Sequence, residues 1–464
     1  MFPTFNRTFN RIGADVMSSI TGRLAEFTSA LKYADLPLAV REKIKVSLLH
    51  NLGMAVSAGS LVDVSNRYAA ELNEGGASAS SRLLLSGKVA SPETAAFLNG
   101  ILIHARCQDD VFFPGLMHIG TIVTPAVLAF GEKINCSGEE IITALAAGYE
   151  TAGALSDGYA VRTTARGFRA SGIFGVFGAT AAVAKLLGLN AAQTANALGI
   201  AASMAAGTNQ TWLSGTQEWQ FQIGLAAKNG ILAANLAAAG GTGSPEALEG
   251  KGGFYAAFMG STEGVEKIGC DLGSLWRSLS ITYKPYPVCG ILQGPVVEAI
   301  DMAKEFEIDP EQISAIRLTL PASEAAYPGT DYLGPFYDVG NALMSSQYCL
   351  AVAILKRSFQ SEDLLKREDP ALLRLVHQIT VIPEETLKPR SFILEIDSKD
   401  GKTLTKVSSS SEDEFDWDRN EEIAHLESMD DEMPFGADRL KNLISMTLTA
   451  EEHTAKEIIS ATIV

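Results

Sequence analysis

The sequence predicts a mainly α-helical chain with an α+β part, on three observations. Over roughly the first 270 residues, apolar side chains recur at helical spacing. After Gly273 the pattern changes to alternating strands mixed with helices. From about Glu421 helical spacing returns, with Leu440, Ile444 and Leu448 on one face. The expected organisation is therefore a helical domain over 1–272, an α+β domain over 273–410 and a helical segment over 411–464 that returns to the first domain. At 464 residues the chain is too long for one compact core.

The elements follow in order. Leu24, Phe27 and Leu31 mark a helix ending near Pro37, and Pro37 opens a second through Leu52, with Gly59 beyond its end. Ser91 and Pro92 read as the cap and first turn of a helix through Ile103. Ser137 with Glu140 fits a capping box before Ile141 to Leu155, and Asn190 with Gln193 is a weaker box before a helix to Met204. Another helix runs from about Gln220 to Ala239. Beyond Gly273, SLSITYKPYP reads as extended and GPVVEAIDMAKEFEI as a helix. SAIRLTLP, QITVIP and SFILEIDSKDGKTLTKV read as strands, the last with a hairpin turn at DSKDGK. A helix from about Asn341 to Leu355 lies among them, and SSSSEDEFDWDRN reads as an acidic linker.

Composition narrows the function. A net charge of −17 argues against nucleic acid and anionic membrane partners. No apolar run long enough for a membrane span lacks a charge or glycine break. Five cysteines without a C-x-x-C pair suit a reducing cytoplasm and give no metal signature. The first residues lack the apolar core of an export signal, although two arginines and scarce acids faintly resemble a transit peptide.

The chemistry is expected in NGILIHARCQDDVFFPGLMHIGTIVTPAVLAF, where His104, Arg106, Asp109, Asp110 and His118 crowd between two core-like runs. Burying charges without partners is costly. The stretch is therefore either a solvated loop between helices or a pocket edge where an acid orients a histidine. Arg162, Arg166 and Arg169 precede a glycine-rich helix start, which suits an anion or simple pairing with surplus acids. Glu218 lies in a polar loop between Ala-rich helices, a pocket wall or a plain turn. Lys284, flanked by Pro285 and Pro287, suits a carboxylate or an exposed strand position.

Taken in order, NGILIHARCQDD with the following His118, GFRASGIFGVFGATAAVAKLLGLNAAQTANALGIAAS, FQIGLAAKNGILAANLAAAGGTG and YKPYPVCG resemble the MmgE/PrpD family over about residues 20–450. That family includes 2-methylcitrate dehydratase, cis-aconitate decarboxylase and iminodisuccinate epimerase. The resemblance implies a helical domain built from both chain ends, an inserted α+β lid domain, homodimers and a site between the domains. It also implies chemistry without metal or organic cofactor, by proton transfer next to a carboxylate. Position by position it assigns Asp110 as the acidic site residue, His118 as the histidine that follows, Lys284 as the lysine of the lid domain and Tyr348 as a tyrosine of the decarboxylase-like members.

Four residues, at three places, depart from the pattern. Arg169 replaces a histidine, Glu218 and Phe221 replace a lysine and a histidine, and Gln293 replaces another histidine. Arginine stays charged where histidine would shuttle protons. Glu218 would repel a substrate carboxylate or pair with Arg169. The expectation is a cofactor-independent lyase, a dehydratase or decarboxylase, for a small carboxylic acid with fewer acid groups, or one carrying an amine or hydroxyl. His118 supported by Asp110 would be general base or acid. Lys284 and Arg169 would hold carboxylate, Tyr348 would donate a proton, and Asp109, Arg166, Glu218 and Gln293 would bind substrate. An epimerase, or a non-catalytic ligand-binding relative, is the alternative.

Overall fold

The computed structural model describes residues 19–71, 80–408 and 414–464. The export-signal and transit-peptide readings of the first residues, and part of the acidic linker, lie outside the described residues.

The first core is helical. Helix α1 (Ile20–Ala30) is capped by the Ser19 side chain, and α2 (Leu38–Val56) starts directly after Pro37. Helix α3 (Pro92–His104) has the Ser91 cap expected for it. Helices α4 (Gly120–Ile134), α5 (Gly138–Ser156), α6 (Ala170–Leu186) and α7 (Ala191–Ala201) follow, with capping boxes opening α5 and α7. Helix α7 passes into a 3₁₀ turn over Ala202–Met204 instead of running on as α-helix. Helix α8 (Glu218–Ala238) packs on α3 and α6. Small residues on these helices bring their axes close, so buried aliphatic side chains mesh between them.

The segment SLSITYKPYP departs from expectation. It opens as a 3₁₀ turn over Arg277–Ser280, and Thr282 makes an isolated bridge to Val111. The cause is Glu150, whose buried carboxylate accepts from the Arg277 and Ser278 amides at 2.8 and 2.9 Å, so those amides serve no strand ladder.

A second core surrounds a four-stranded sheet. Helix α9 (Gln293–Glu305) precedes β1 (Ile313–Pro321), which sends Ile316, Leu318 and Leu320 inward. Helices α10 (Val339–Met344), α11 (Ser346–Lys356) and α12 (Pro370–Val376) cross over to β2 (Ile379–Glu384), parallel to β1. Strands β3 (Phe392–Ser398) and β4 (Thr403–Ser408) form the expected hairpin, in sheet order β2-β1-β3-β4. Gly401, at φ +86°, supplies the left-handed residue of its turn. The single helix expected from Asn341 to Leu355 is broken at Ser345, whose hydroxyl caps α11 through the Tyr348 amide at 3.0 Å and donates to the Tyr332 carbonyl.

The last helices, α13 (Arg419–Ser428), α14 (Ala437–Leu448) and α15 (Ala455–Ser460), return to the first core. Leu426, Leu440, Leu443 and Ile458 are buried there with residues of α2. The second core is closed on one side by Cys107, Trp212 and Trp219 of the earlier chain. Among the described residues, no helix is long and apolar enough to cross a membrane.

Candidate active site

The loop after α3 brings the expected residues of this stretch together with Lys284. Cys107 adopts φ +52°, a left-handed conformation costing about 1 kcal/mol for a residue with a side chain. Fully buried Arg106 braces it by donating to the Gln108 side chain, the Ser57 carbonyl and both oxygens of Glu432. The turn aims the Cys107 carbonyl at Lys284, whose Nζ donates to it at 2.5 Å.

Asp109 is the centre. Its Oδ1 accepts from His104 Nδ1 at 2.7 Å and its Oδ2 from His118 Nδ1 at 2.5 Å, with Lys284 Nζ 3.9 Å from Oδ2. Burial alone would raise the Asp109 pKa, but Lys284 and the two histidines hold it well below the usual carboxylate range. Arg169 Nη2 donates to His104 Nε2 at 2.6 Å, and its Nη1 donates to the Trp219 carbonyl. His104 therefore accepts at Nε2 and donates at Nδ1, a neutral imidazole in one tautomer. Burial, against the pull of Asp109, pushes its pKa down to about 3.

His118 sits at the open edge, its side chain 18% exposed while Asp109 is fully buried. Its amide donates to Ser171 and its Nδ1 faces Asp109, so Nε2 is left unengaged among the described residues. Burial and then Lys284, 3.4 Å from Nδ1, lower its pKa to about 4. The imidazole is neutral at pH 7 and can take a proton at Nε2.

The carboxylate that orients His118 is thus Asp109, and the expected partnership with Asp110 is corrected. Asp110 points the other way, accepting from the Tyr149 hydroxyl at 2.5 Å and the Gly120 amide at 3.0 Å. It anchors the start of α4, where helix amides favour an anion. Burial raises its pKa.

Four other expected residues are separate from this cluster. Tyr348 is buried in the second core and donates to the Asp363 carbonyl at 2.6 Å, so its proton is committed to backbone. Gln293 donates to the Tyr286 and Val288 carbonyls and accepts from the Tyr286 amide, which shapes the turn after Lys284. Arg166 is exposed on the surface beside Gly260. Glu218 is half-buried at the first turn of α8, and no ion pair joins it to Arg169. Arg169 reaches instead the backbone of the neighbouring Trp219 and the face of Trp212, 5.0 Å away.

Sequence reasoning left His104 out of the site, although it stands in the same motif and ends an otherwise apolar helix. It also passed over Tyr327, which interacts electrostatically with Arg169 and Cys107 and whose hydroxyl is kept protonated by burial. His104, Asp109 and His118 offer atoms within 4.8 Å of one another, as a metal site would. Arg169 and Lys284 stand against that same group, so it fits a divalent cation poorly and an anion well.

Comparison with known proteins gives the same direction. Residues 22–265 match the MmgE/PrpD N-terminal domain and residues 286–428 the MmgE/PrpD C-terminal domain. The chain is 30% identical over 303 residues to a cis-aconitate decarboxylase of Aspergillus terreus, covering 62% of this chain and 61% of that one. It is 31% identical over 252 residues to the cis-aconitate decarboxylase of Homo sapiens, covering 52% of each. It is 28% identical over 342 residues to that of Mus musculus, covering 68% and 67%. The chain thus spans about three fifths of the length of the first of these relatives. With both domain models matched in order along a helical core and a sheet-bearing second core, the chain belongs to the MmgE/PrpD family.

Proposed function

We propose that the protein is a lyase acting on a small carboxylic acid by proton transfer at the carbon next to the carboxylate, with His118 Nε2 as the base. The observation that carries this is the hydrogen-bonded series Arg169–His104–Asp109–His118. It fixes every ring nitrogen but one and leaves that one at the partly open edge. Asp109 keeps the Nδ1 proton on His118 and stabilises the imidazolium formed when Nε2 is protonated. Lys284 and Arg169, prepositioned in a dry site, stabilise the enolate-like charge through their fields. In loss of water the proton goes to His118 Nε2 and the C–O bond at the next carbon breaks, its hydroxyl leaving as water with a proton from Tyr327, not Tyr348; in loss of CO2 the C–C bond to a carboxylate breaks and the carbanion takes a proton from the His118 imidazolium. The second core serves as the lid.

The charge balance favours a substrate with few acid groups. With both histidines neutral, the cations Arg169 and Lys284 set against Asp109 leave one net positive charge, which matches one carboxylate. Glu218, one residue before the Trp219 carbonyl that Arg169 reaches and in no ion pair among the described residues, suits an amine or hydroxyl on the rest of the molecule. The similarity to cis-aconitate decarboxylases supports the reaction class. An epimerase would share the same carbanion step and differ only in product.

The test is solvent deuterium exchange into succinate, malate, 3-hydroxybutyrate and cis-aconitate. Exchange next to a carboxylate is expected in the wild type for at least one acid, and His118→Gln should lose about 10²–10⁴-fold. An unchanged rate in that variant overturns the assignment. Thermal stabilisation by an acid that is never exchanged would favour a binding protein instead.

A further inference from the structure

A second buried polar cluster lies behind the loop, and its centre is His50 on α2. His50 is fully buried, with Nδ1 3.0 Å from Glu422 Oε2 on α13 and Nε2 2.8 Å from the backbone oxygen of Gln108. Gln108 is the residue between Cys107 and Asp109, and its side-chain polar atoms are also engaged. Its side-chain oxygen accepts from Arg106, and its side-chain nitrogen donates to the Pro285 carbonyl at 2.8 Å. Pro285 follows Lys284. Gln108 therefore fixes the segment bearing Lys284 against the loop bearing Asp109.

We infer that His50 is a positioning residue: its Nε2–H pins the Gln108 carbonyl and so sets Asp109 and His118 against Lys284, while Glu422 holds the opposite edge of the ring. The inference rests on the proposed roles of Asp109 and His118. A backbone oxygen only accepts, so Nε2 carries hydrogen. A further hydrogen lies on the line from Nδ1 to Glu422 Oε2, whichever of the two atoms holds it. Burial alone would lower the His50 pKa, but Glu422 and the Gln108 carbonyl outweigh it and raise it. The other groups facing the ring are consistent with a proton held there. Tyr283 and Trp417 lie at 4.8 and 6.0 Å between ring centroids. His425 stacks at 6.0 Å, with its own pKa pushed down to about 3 by burial and then by His50 and Arg106. Asp110 adds a favourable field.

The chain has six histidines, so a ring-nitrogen spectrum of protein labelled with ¹⁵N-histidine can resolve them. The expected result is Nε2 of His50 protonated throughout about pH 6–9, beyond the range in which a free imidazole titrates. His50→Phe keeps a ring against Tyr283 and Trp417 but removes the donor. It should shift the His104 and His118 signals and reduce deuterium exchange by about tenfold or more. His50→Gln restores an N–H donor and should recover both in part. A residue that merely fills space would give the reverse order, Phe above Gln. The inference is overturned by an unprotonated His50 Nε2 at neutral pH, or by a His50→Phe protein with unmoved His104 and His118 signals. Should His50→Phe fail to fold, the wild-type spectrum and His50→Gln decide. If exchange survived in His118→Gln while the His50 spectra came out as expected, the function proposed above would fall and the seating of Gln108 would stand.

Discussion

Asp109 and Asp110 are neighbours in sequence with opposite duties. One carboxylate faces His104 and His118, and the other faces Tyr149 and the α4 amides. The chain bends at Asp109, and the two side chains leave it toward different partners. Spacing from His118 could not choose between them, because that choice depends on the left-handed turn at Cys107 and its buried brace from Arg106. Tyr348 is assigned by the resemblance alone. Its setting in SSQYCLAVAIL, however, carried the signal of a core tyrosine. The aspartates separate by experiment. Asp109→Asn should reduce exchange by about 10²-fold or more with modest loss of stability, because it removes the anion that orients the base. Asp110→Asn should leave His118 in place and lower stability by about 1–3 kcal/mol, as a buried hydrogen-bonded group is left mismatched. Parallel exchange rates and urea midpoints check both.

At the scale of elements, the caps and periodicities were legible. Ser91, Ser137 and Asn190 cap the helices that their positions announce, and the β3–β4 hairpin turns at Gly401. Breaks set by distant partners were not legible. Glu150 diverts the Arg277 and Ser278 amides from 127 and 128 residues away, and Ser345 splits a helix through a carbonyl of the preceding loop. The start of α4 makes a similar long-range demand. A methyl built on Gly120 would lie 2.1 Å from Asn51 Nδ2, 2.4 Å from the Tyr149 hydroxyl and 2.6 Å from Asp110 Oδ2. Gly120→Ala should therefore displace the turn that carries His118 and cost about 3 kcal/mol. Its unfolding midpoint should drop accordingly, and a midpoint equal to the wild type would contradict the close packing.

For the molecule as a whole, helical spacing in the last segment foretold that Leu440, Ile444 and Leu448 are buried against the first core. It could not foretell which polar groups that segment brings to the loop, since those contacts span more than 300 residues. The buried histidines also give the fold a pH signature. His104, His118 and His425 have pKa values of about 3, 4 and 3, below the ordinary 6.5. Between those values the unfolded chain binds more protons than the folded one, so these groups make stability rise with pH up to about 6.5 and fall on acidification. The contribution of these three histidines to the slope of melting temperature against pH between about 4 and 6.5 should be positive, opposed by His50 and Asp110, whose pKa values are raised. In His118→Gln that contribution should be smaller, and an identical slope would mean that His118 titrates normally in the fold.

The tie from Glu432 has a consequence for biosynthesis. Its carboxylate receives both guanidinium arms of Arg106 and also the Ser361 amide and hydroxyl, joining the loop after α3 to the second core. A nascent chain that has left the ribosome only as far as residue 418 already possesses His118, Asp109, Arg169 and Lys284. It still lacks Glu422 and Glu432, the two anions that seat the loop. On the proposed function, competence therefore waits until residues 422–432 have been made, and a product that stops short of them would carry the proposed reacting groups without the means to aim them.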